Sequence, residues 1–161
     1  MIRHIKFRNM TENEYTIWIE CSIKDYKKEL LKTGQYSEDE AKIESEKDFY
    51  SLLTNGLATP NNYLITVEND DGDPVGMIWY LIQDADRIFI ADFLVYAEYR
   101  RMGYGSAILT ELDCKLKSEG FSIIVLHVFE HNKAAIELYK KCGYKIAHDN
   151  GKGNIYMEKR F

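Results

Sequence analysis

An apolar run, Ile88-Phe89-Ile90-Ala91-Asp92-Phe93-Leu94-Val95, breaks into a loop containing Arg100-Arg101-Met102-Gly103-Tyr104-Gly105-Ser106. A helical pattern follows, Ala107-Ile108-Leu109 with Leu112 and Leu116. This handover limits the fold more than any other stretch. A strand that passes into a helix through a basic, glycine-containing loop requires a sheet layer and a helix layer. It also builds a definite chemistry at the junction. The first helical turn presents N–H groups with no intrahelical acceptor, at the positive end of the helix dipole, and that geometry holds phosphate. Gly103 and Gly105 carry no Cβ, so backbone can approach a ligand closely. Arg100 and Arg101 add charge-assisted hydrogen bonds. Taken alone, an Arg-x-x-Gly-x-Gly string carries little specificity, so its surroundings decide.

Those surroundings read as a regular alternation of elements. Residues 2–8 alternate apolar and charged side chains, a strand pattern. Thr11-x-x-Glu14 and Ser37-x-x-Glu40 are capping boxes. Each opens a helix, the first to about Leu31 and the second to about Leu53 with Phe49, Leu52 and Leu53 turned to the core. Tyr63–Val67 and Val75–Ile82 flank the turn-forming run Asn69-Asp70-Asp71-Gly72-Asp73-Pro74 and predict an antiparallel hairpin. Then come the strand Ile88–Val95, a helix from about Gly103 to Ser118, and a buried strand from Ser122 to Phe129. A helix opens at Asn132 with Ala135, Leu138, Tyr139 and Cys142 on its inner face. Two strands close the chain, about Tyr144–Ala147 and Asn154–Lys159. The order is βααβββαβαββ, with no repeats and no linker, which predicts one domain over residues 1–161.

Composition excludes several functions. With 45% hydrophobic and 13% aromatic residues the 161-residue chain can build a core, so disorder is excluded. No apolar run approaches the roughly 20 residues of a membrane span, and no signal-peptide core follows the N-terminus. A cytoplasmic protein without a membrane partner is expected. Cys21, Cys114 and Cys142 are odd in number and irregularly spaced, which favours free thiols in a reducing compartment. There is no His/Cys ligand cluster, so no metal is expected. A net charge of −5 argues against a nucleic-acid partner. That charge is local: Thr11 to Pro60 holds eleven acids against six bases, which alone leaves −5.

A second polar signature stands one β-α unit beyond the basic loop: Asn132-x-x-Ala135-x-x-x-Tyr139, then Gly143-Tyr144. Here the chain resembles the Gcn5-related N-acetyltransferases (GNAT). Their pattern runs Val-x-Pro-x-Tyr-Arg-Gly-x-Gly-x-Gly, helix, strand, Asn-x-x-Ala-x-x-x-Tyr-x-x-x-Gly-Phe. Ala97 stands for the usual Pro, Arg101 for the usual Gly after the first Arg, and Tyr144 for the usual Phe. The resemblance covers essentially the full length. It implies an α/β, single-domain fold whose central sheet is mixed, mostly antiparallel and flanked by helices. It implies acetyl-CoA, or a related acyl-CoA, as donor co-substrate, and a small-molecule or peptide amine as acceptor.

The same resemblance assigns the site residues. The backbone of Phe93, Leu94 and Val95 runs along the pantetheine arm. Arg100 flanks the pyrophosphate, and the N–H groups of Arg101, Met102, Gly103, Tyr104, Gly105 and Ser106 face it. Asn132 contacts the CoA near the pantetheine, and Tyr139 lies near the thioester sulfur. Physical chemistry asks for the same parts. Acyl transfer from a thioester needs a neutral amine, a stabilised oxyanion and a protonated leaving thiolate. A backbone N–H near Leu94 or Val95 serves the oxyanion. A tyrosine hydroxyl serves the thiolate, their ordinary pKa values being about 10 and 8.5. Asp92 is the first candidate to accept the amine proton and Glu20 the second.

Each assignment has a plainer counterpart. Tyr139 on an apolar helix face is by default a core tyrosine with a satisfied hydroxyl. Asn132 is a natural helix N-cap, and a surface carboxylate explains Asp92 and Glu20. His127 reads as a packed, hydrogen-bonded histidine rather than a base. On the acceptor side the first two helices carry Trp18, Tyr26, Tyr36 and Tyr50 beside the local acid excess. An acidic, aromatic wall suits a cationic amine, and helix-surface charge is the competing explanation. A noncatalytic acyl-CoA-binding or sensing module is the alternative from another class. A P-loop or dinucleotide-binding site is disfavoured because neither glycine fingerprint is present. The C-terminal strands offer an edge through which two copies could form a homodimer.

Overall fold

In a computed structural model the described residues are 3–161. They form an α/β fold with one seven-stranded mixed sheet and four α-helices. The elements are β1 (Lys6–Asn9), α1 (Glu12–Lys32), α2 (Glu38–Leu52), β2 (Asn62–Glu68), β3 (Pro74–Asp84), β4 (Arg87–Val95), α3 (Tyr104–Ser118), β5 (Ile123–Phe129), α4 (Lys133–Lys141), β6 (Lys145–Asp149) and β7 (Asn154–Arg160). Their order is the expected βααβββαβαββ. The first strand was expected from Ile2. Ile2 lies outside the described residues, and the strand itself begins at Lys6.

The described residues divide into two compact units. Residues 10–62 form a helical unit; residues 3–9 and 63–161 form a sheet unit. In the helical unit both expected capping boxes are closed. Thr11 and Glu14 bond reciprocally at the start of α1, and Ser37 and Glu40 at the start of α2. Trp18 and Phe49 join the two helices, with ring centroids 5.8 Å apart, and Tyr26 packs on Phe49 at 5.9 Å. Leu52 departs from expectation: it is 41% exposed. It ends α2, and the unwound Leu53 takes the buried position.

In the sheet unit the strand order is β1-β2-β3-β4-β5-β7-β6. The β4–β5 pair is parallel, and the β1–β2, β3–β4, β5–β7 and β6–β7 pairs are antiparallel. Ile108, Leu109, Leu112 and Leu116 of α3 are fully buried. Their three- and four-residue spacing is the helical stripe, and they share one core with Ile88, Ile90, Ile124, Leu126 and Met157. On α4 the buried residues are Ile136 and Tyr139. Ile136 was not on the expected inner face, and Ala135, Leu138 and Cys142 are only partly buried against the core. The helix is rolled so that Ala135 and Leu138 meet both that core and the cleft described below.

Two features of the sheet prepare that cleft. First, β4 and β5 pair only from Arg87–Ile90 against Ile123–Leu126. Beyond that point β4 continues along β3 and β5 along β7, so the two strands part. Second, the β3–β4 register slips at the same level. Trp79 faces Asp92 while Tyr80 faces Ile90, which leaves Ala91 as the extra residue of a β-bulge. A bulge bends its strand and re-aims the side chains beyond it. Ile88 and Ile90 lie in the core before the bulge, and Phe93 and Val95 pack against that core after it. Strict alternation would have turned Phe93 and Val95 to the other face.

Candidate active site

Where β4 and β5 part, a cleft of about 500 Å³ opens. One wall is Phe93, Leu94 and Val95; α4 contributes Leu138 and Tyr139; the loop and the start of α3 close one end. Of the expected residues, Arg100, Arg101, Gly103, Tyr104, Gly105 and Ser106 all line it. Met102 and Asn132 are not among the lining residues, and neither is Asp92. Met102 points outward, 44% exposed. The Asn132 side chain caps α4, accepting the Ala135 N–H at 3.3 Å. Pattern reading did not assign Leu138 or Lys141, which also line the cleft. Steps of three from Ala135 mark Leu138, but core packing explained it equally well.

The ladder phase fixes which β4 backbone groups face the gap. The Tyr96 N–H donates to the Val75 carbonyl at 2.9 Å. Hydrogen-bonded pairs alternate with non-bonded pairs in antiparallel strands. With Gly76 opposite Val95 and Ile78 opposite Phe93, Phe93 and Val95 turn their polar groups away from β3 and into the gap. Two of these groups are engaged. The Phe93 N–H donates to Asp92 Oδ1 at 2.9 Å, and the Val95 carbonyl accepts from Arg100 Nε at 2.9 Å. The N–H of Val95 points into the cleft; that of Leu94 points at β3.

At the far end the chain curls sharply before α3. Arg101 has φ 62° and Gly103 φ 86°. The left-handed region costs a residue with a side chain roughly 1–2 kcal/mol and glycine almost nothing. Gly103 caps α3 with no side-chain hydrogen bond, and the first backbone bond of the helix runs from the Ala107 N–H to the Gly103 carbonyl. The N–H groups of Tyr104, Gly105 and Ser106 therefore precede the helical ladder and form an anion-accepting end. A Cβ built on Gly105 would stand 3.0 Å from Leu138 Cδ2, so a side chain here would press on the Leu138 methyls that line the cleft.

Tyr139 is 8% exposed and packs against Phe93 (6.4 Å between ring centroids) and Tyr144 (5.7 Å). Its hydroxyl makes no hydrogen bond among the described residues, unlike a satisfied core tyrosine. Burial pushes its pKa well above the ordinary 10, and the negative charge of Asp92 pushes it further. The charge of Asp92 thus reaches the Tyr139 hydroxyl although Asp92 is outside the cleft lining. His127 is held by Asn154, with Nε2 2.7 Å from Oδ1. Among the described residues no group of three or more His, Cys, Asp or Glu side chains is placed to hold a metal ion. No helix among them is long and apolar enough to cross a membrane.

In the helical unit much of the acidity has structural employment. Glu12 and Glu14 lie in the first turn of α1, and Glu38, Asp39 and Glu40 in that of α2, where negative charge offsets the helix dipole. Glu29, Glu38 and Glu46 pair with Lys32, Lys27 and Lys42. Asp48 accepts from the Tyr26 hydroxyl at 2.7 Å. Trp18 is buried, whereas Tyr50 is 52% exposed. Glu20 lines a groove between α1 and α2.

A mixed sheet splayed between two parallel strands, with an anion-accepting helix end at the gap, defines the class: an acyltransferase fold. Comparison with known proteins makes it specific. The model of the acetyltransferase (GNAT) family matches residues 23–144. YdgE of Bacillus subtilis, an uncharacterized N-acetyltransferase, is 30% identical over 155 residues, spanning 94% of this chain and 95% of that one. YycN of the same organism, an uncharacterized N-acetyltransferase, is 32% identical over 139 residues, spanning 84% and 89%. The chain belongs to the GNAT acetyltransferase family. The crystal structure of YycN matches with a TM-score of 0.86 at 31% identity, over 91% of this chain and 95% of that one. The PaiA N-acetyltransferase of Thermoplasma acidophilum, solved in complex with coenzyme A, shares the fold with a TM-score of 0.71 at 20% identity, over 98% and 99%.

Proposed function

We propose that the protein transfers the acetyl group of acetyl-CoA to a primary amine by direct attack in a ternary complex. One observation carries this: Arg100, Arg101 and Gly103 to Ser106 from the loop and Tyr139 from α4 line a single cleft opened by the parting of β4 and β5. The cleft fits an acyl-CoA by its chemistry. It has a cationic, N–H-rich end for phosphates, exposed strand polar groups for a pantetheine amide, and an unpartnered hydroxyl at Tyr139. Acetyl-CoA supplies an activated acetyl group as a thioester. The residues for pyrophosphate are Arg100 to Ser106, and those for the pantetheine Phe93 to Val95, with Asn132 nearby on the α4 cap.

The amine nitrogen forms a bond to the carbonyl carbon, the carbon–sulfur bond breaks, and the one proton the nitrogen gives up passes by way of Asp92 and solvent to the departing sulfur. The Val95 N–H, rather than that of Leu94, is aimed to stabilise charge on the carbonyl oxygen. Asp92 accepts the amine proton, directly or through water. Tyr139 stays protonated because burial raises its pKa. It therefore acts as a hydrogen-bond donor to the departing sulfur, since full ionisation of so weak an acid is uphill at neutral pH.

The family match runs from residue 23 to residue 144, across residues of both units, which supports one N-acetyltransferase domain over 1–161. Three free cysteines support a reducing, cytoplasmic setting. The leaning toward a cationic acceptor rests on the acid excess between residues 11 and 60, and is weakened by the structural use of many of those acids. The test is acetyl-CoA consumption across cationic, neutral and acidic amines. Turnover with at least one amine supports transfer. Tight acyl-CoA binding without turnover on any amine would favour a noncatalytic sensing module.

A further inference from the structure

We infer that Arg3, ninety-nine residues upstream of the loop, is a positioning residue that holds the phosphate-facing turn in its binding shape. The inference rests on the acyl-CoA assignment proposed above. Arg3 Nε donates to the Met102 carbonyl at 2.6 Å. The guanidinium lies 5.2 Å from the centroid of the Tyr104 ring, and that ring meets Tyr99 edge-on at 5.8 Å. Met102 sits between the two left-handed residues, Arg101 and Gly103. One side chain thus grips the turn at its middle and stacks on the first residue of α3.

The reason the grip matters is the planarity of the peptide bond. The Met102 carbonyl and the Gly103 N–H are opposite ends of one rigid trans unit. Holding the carbonyl on the Arg3 side aims the N–H the other way. Arg3 does not line the cleft; it borders a second cavity of about 440 Å³ that shares Gly103 and Ser106 with the cleft. It therefore holds the turn from outside the ligand space. Its contribution is to fix the peptide plane from which the Gly103 N–H points, one residue before α3 begins. Without it, the strained φ of Arg101 has one fewer bond opposing relaxation. A charge-assisted bond to a carbonyl is stronger than a neutral one, and a cation over a tyrosine face adds to it.

The experiment is calorimetric titration of the full chain with CoA, using wild type, Arg3→Met and Arg3→Lys, with melting temperatures and acetyl-CoA kinetics for each. Arg3→Met is expected to weaken CoA binding roughly tenfold, the scale of one hydrogen bond to a charged group. KM for acetyl-CoA should rise in step, with kcat within about twofold of wild type because a positioning role acts on binding. Arg3→Lys, which keeps a cation within reach of the carbonyl and the ring, is expected to recover most of the loss. Unchanged CoA affinity in Arg3→Met overturns the inference. So does a fall in kcat together with a lowered melting temperature and an unchanged KM, which marks a merely structural residue. If Arg3→Met does not fold, Arg3→Gln is titrated under the same criterion. If folded wild type itself fails to bind CoA, the acyl-CoA assignment is lost and the inference falls with it. A loss confined to the Arg3 variants leaves that assignment standing.

Discussion

Gly76 on β3 and Leu94 on β4 approach so closely that a Cβ on Gly76 would stand 2.5 Å from the Leu94 carbonyl oxygen and 3.3 Å from the Val95 Cα. Gly76 stands opposite Val95 in a non-bonded pair, the position where strands come nearest. Both obstacles are backbone, so neither can swing aside. Gly76→Ala must push β3 and β4 apart at the level of the candidate oxyanion donor. Overpacking of this kind costs about 1–3 kcal/mol, and each kcal/mol shifts the midpoint by about 2–4 °C in a chain of this size. We expect a lower Tm and a raised KM for acetyl-CoA. A variant that melts with wild type would show that the contact is not limiting.

How much of this was legible in the sequence depends on the range of the interaction. The element order was readable because its signals are local: the Thr11 and Ser37 capping boxes, the Ile108-Leu109-Leu112-Leu116 stripe, the glycines that stop helices. The loop and Tyr139 were readable as two spaced signatures. The bulge at Ala91 was not, because it exists only in the register between β3 and β4. Nor was the left-handed φ of Arg101, since a residue with a side chain gives no hint of it. The Arg3–Met102 bond joins residues that no local pattern connects. Ile136 was missed for a physical reason: Ala135 and Leu138 are apolar and meet both core and cleft, and their stripe masked the buried face.

Tyr139→Phe separates chemistry from stability. The lost hydroxyl has no hydrogen-bond partner among the described residues, so its removal should leave Tm nearly unchanged or slightly raised. We expect kcat to fall by roughly 10²-fold, the lower range for losing one positioned hydrogen-bond donor to developing negative charge, with CoA affinity unaltered. Burial and the Asp92 charge hold the Tyr139 pKa well above 10. Activity should therefore rise with pH as the amine loses its proton, with no alkaline limb from Tyr139 below about pH 10. An alkaline limb near pH 8–9 present in wild type and missing in Tyr139→Phe would contradict the raised pKa. Full kcat in Tyr139→Phe at every pH would remove the residue from the mechanism.

The same physics predicts the alkaline stability limit. Tyr26, Tyr80, Tyr139 and Tyr144 all have pKa values raised first by burial. Below pH 10 each is protonated both folded and unfolded, so stability does not depend on it. Above pH 10 the unfolded chain releases the proton and the folded chain keeps it, so the unfolded state gains. Stability then falls by about 1.4 kcal/mol per pH unit for each such tyrosine until its folded pKa is reached. Denaturant unfolding followed between pH 8 and about 11.5 should be flat and then drop steeply. A flat profile throughout would show that these hydroxyls ionise without unfolding.

Arg101 poses a conflict between conformation and charge that a single substitution resolves. Its φ of 62° suits glycine, and glycine is the residue usual at this place in the GNAT loop pattern. Relief of left-handed strain is worth roughly 1–2 kcal/mol, offset in part by the larger unfolded-state entropy of glycine, about 0.4–1 kcal/mol. Arg101→Gly should therefore leave Tm unchanged or raise it by a few degrees, about 2–4 °C per kcal/mol. The charge runs the other way. Arg101 lines the cleft beside Arg100, and losing a cation near phosphates should weaken CoA binding and flatten its salt dependence. Titrations at two ionic strengths distinguish the terms: a weaker, less salt-sensitive affinity in a protein of equal or higher Tm is expected. If affinity instead improves at both ionic strengths, the side chain obstructs the phosphates, and the basicity of the loop rests on Arg100 alone.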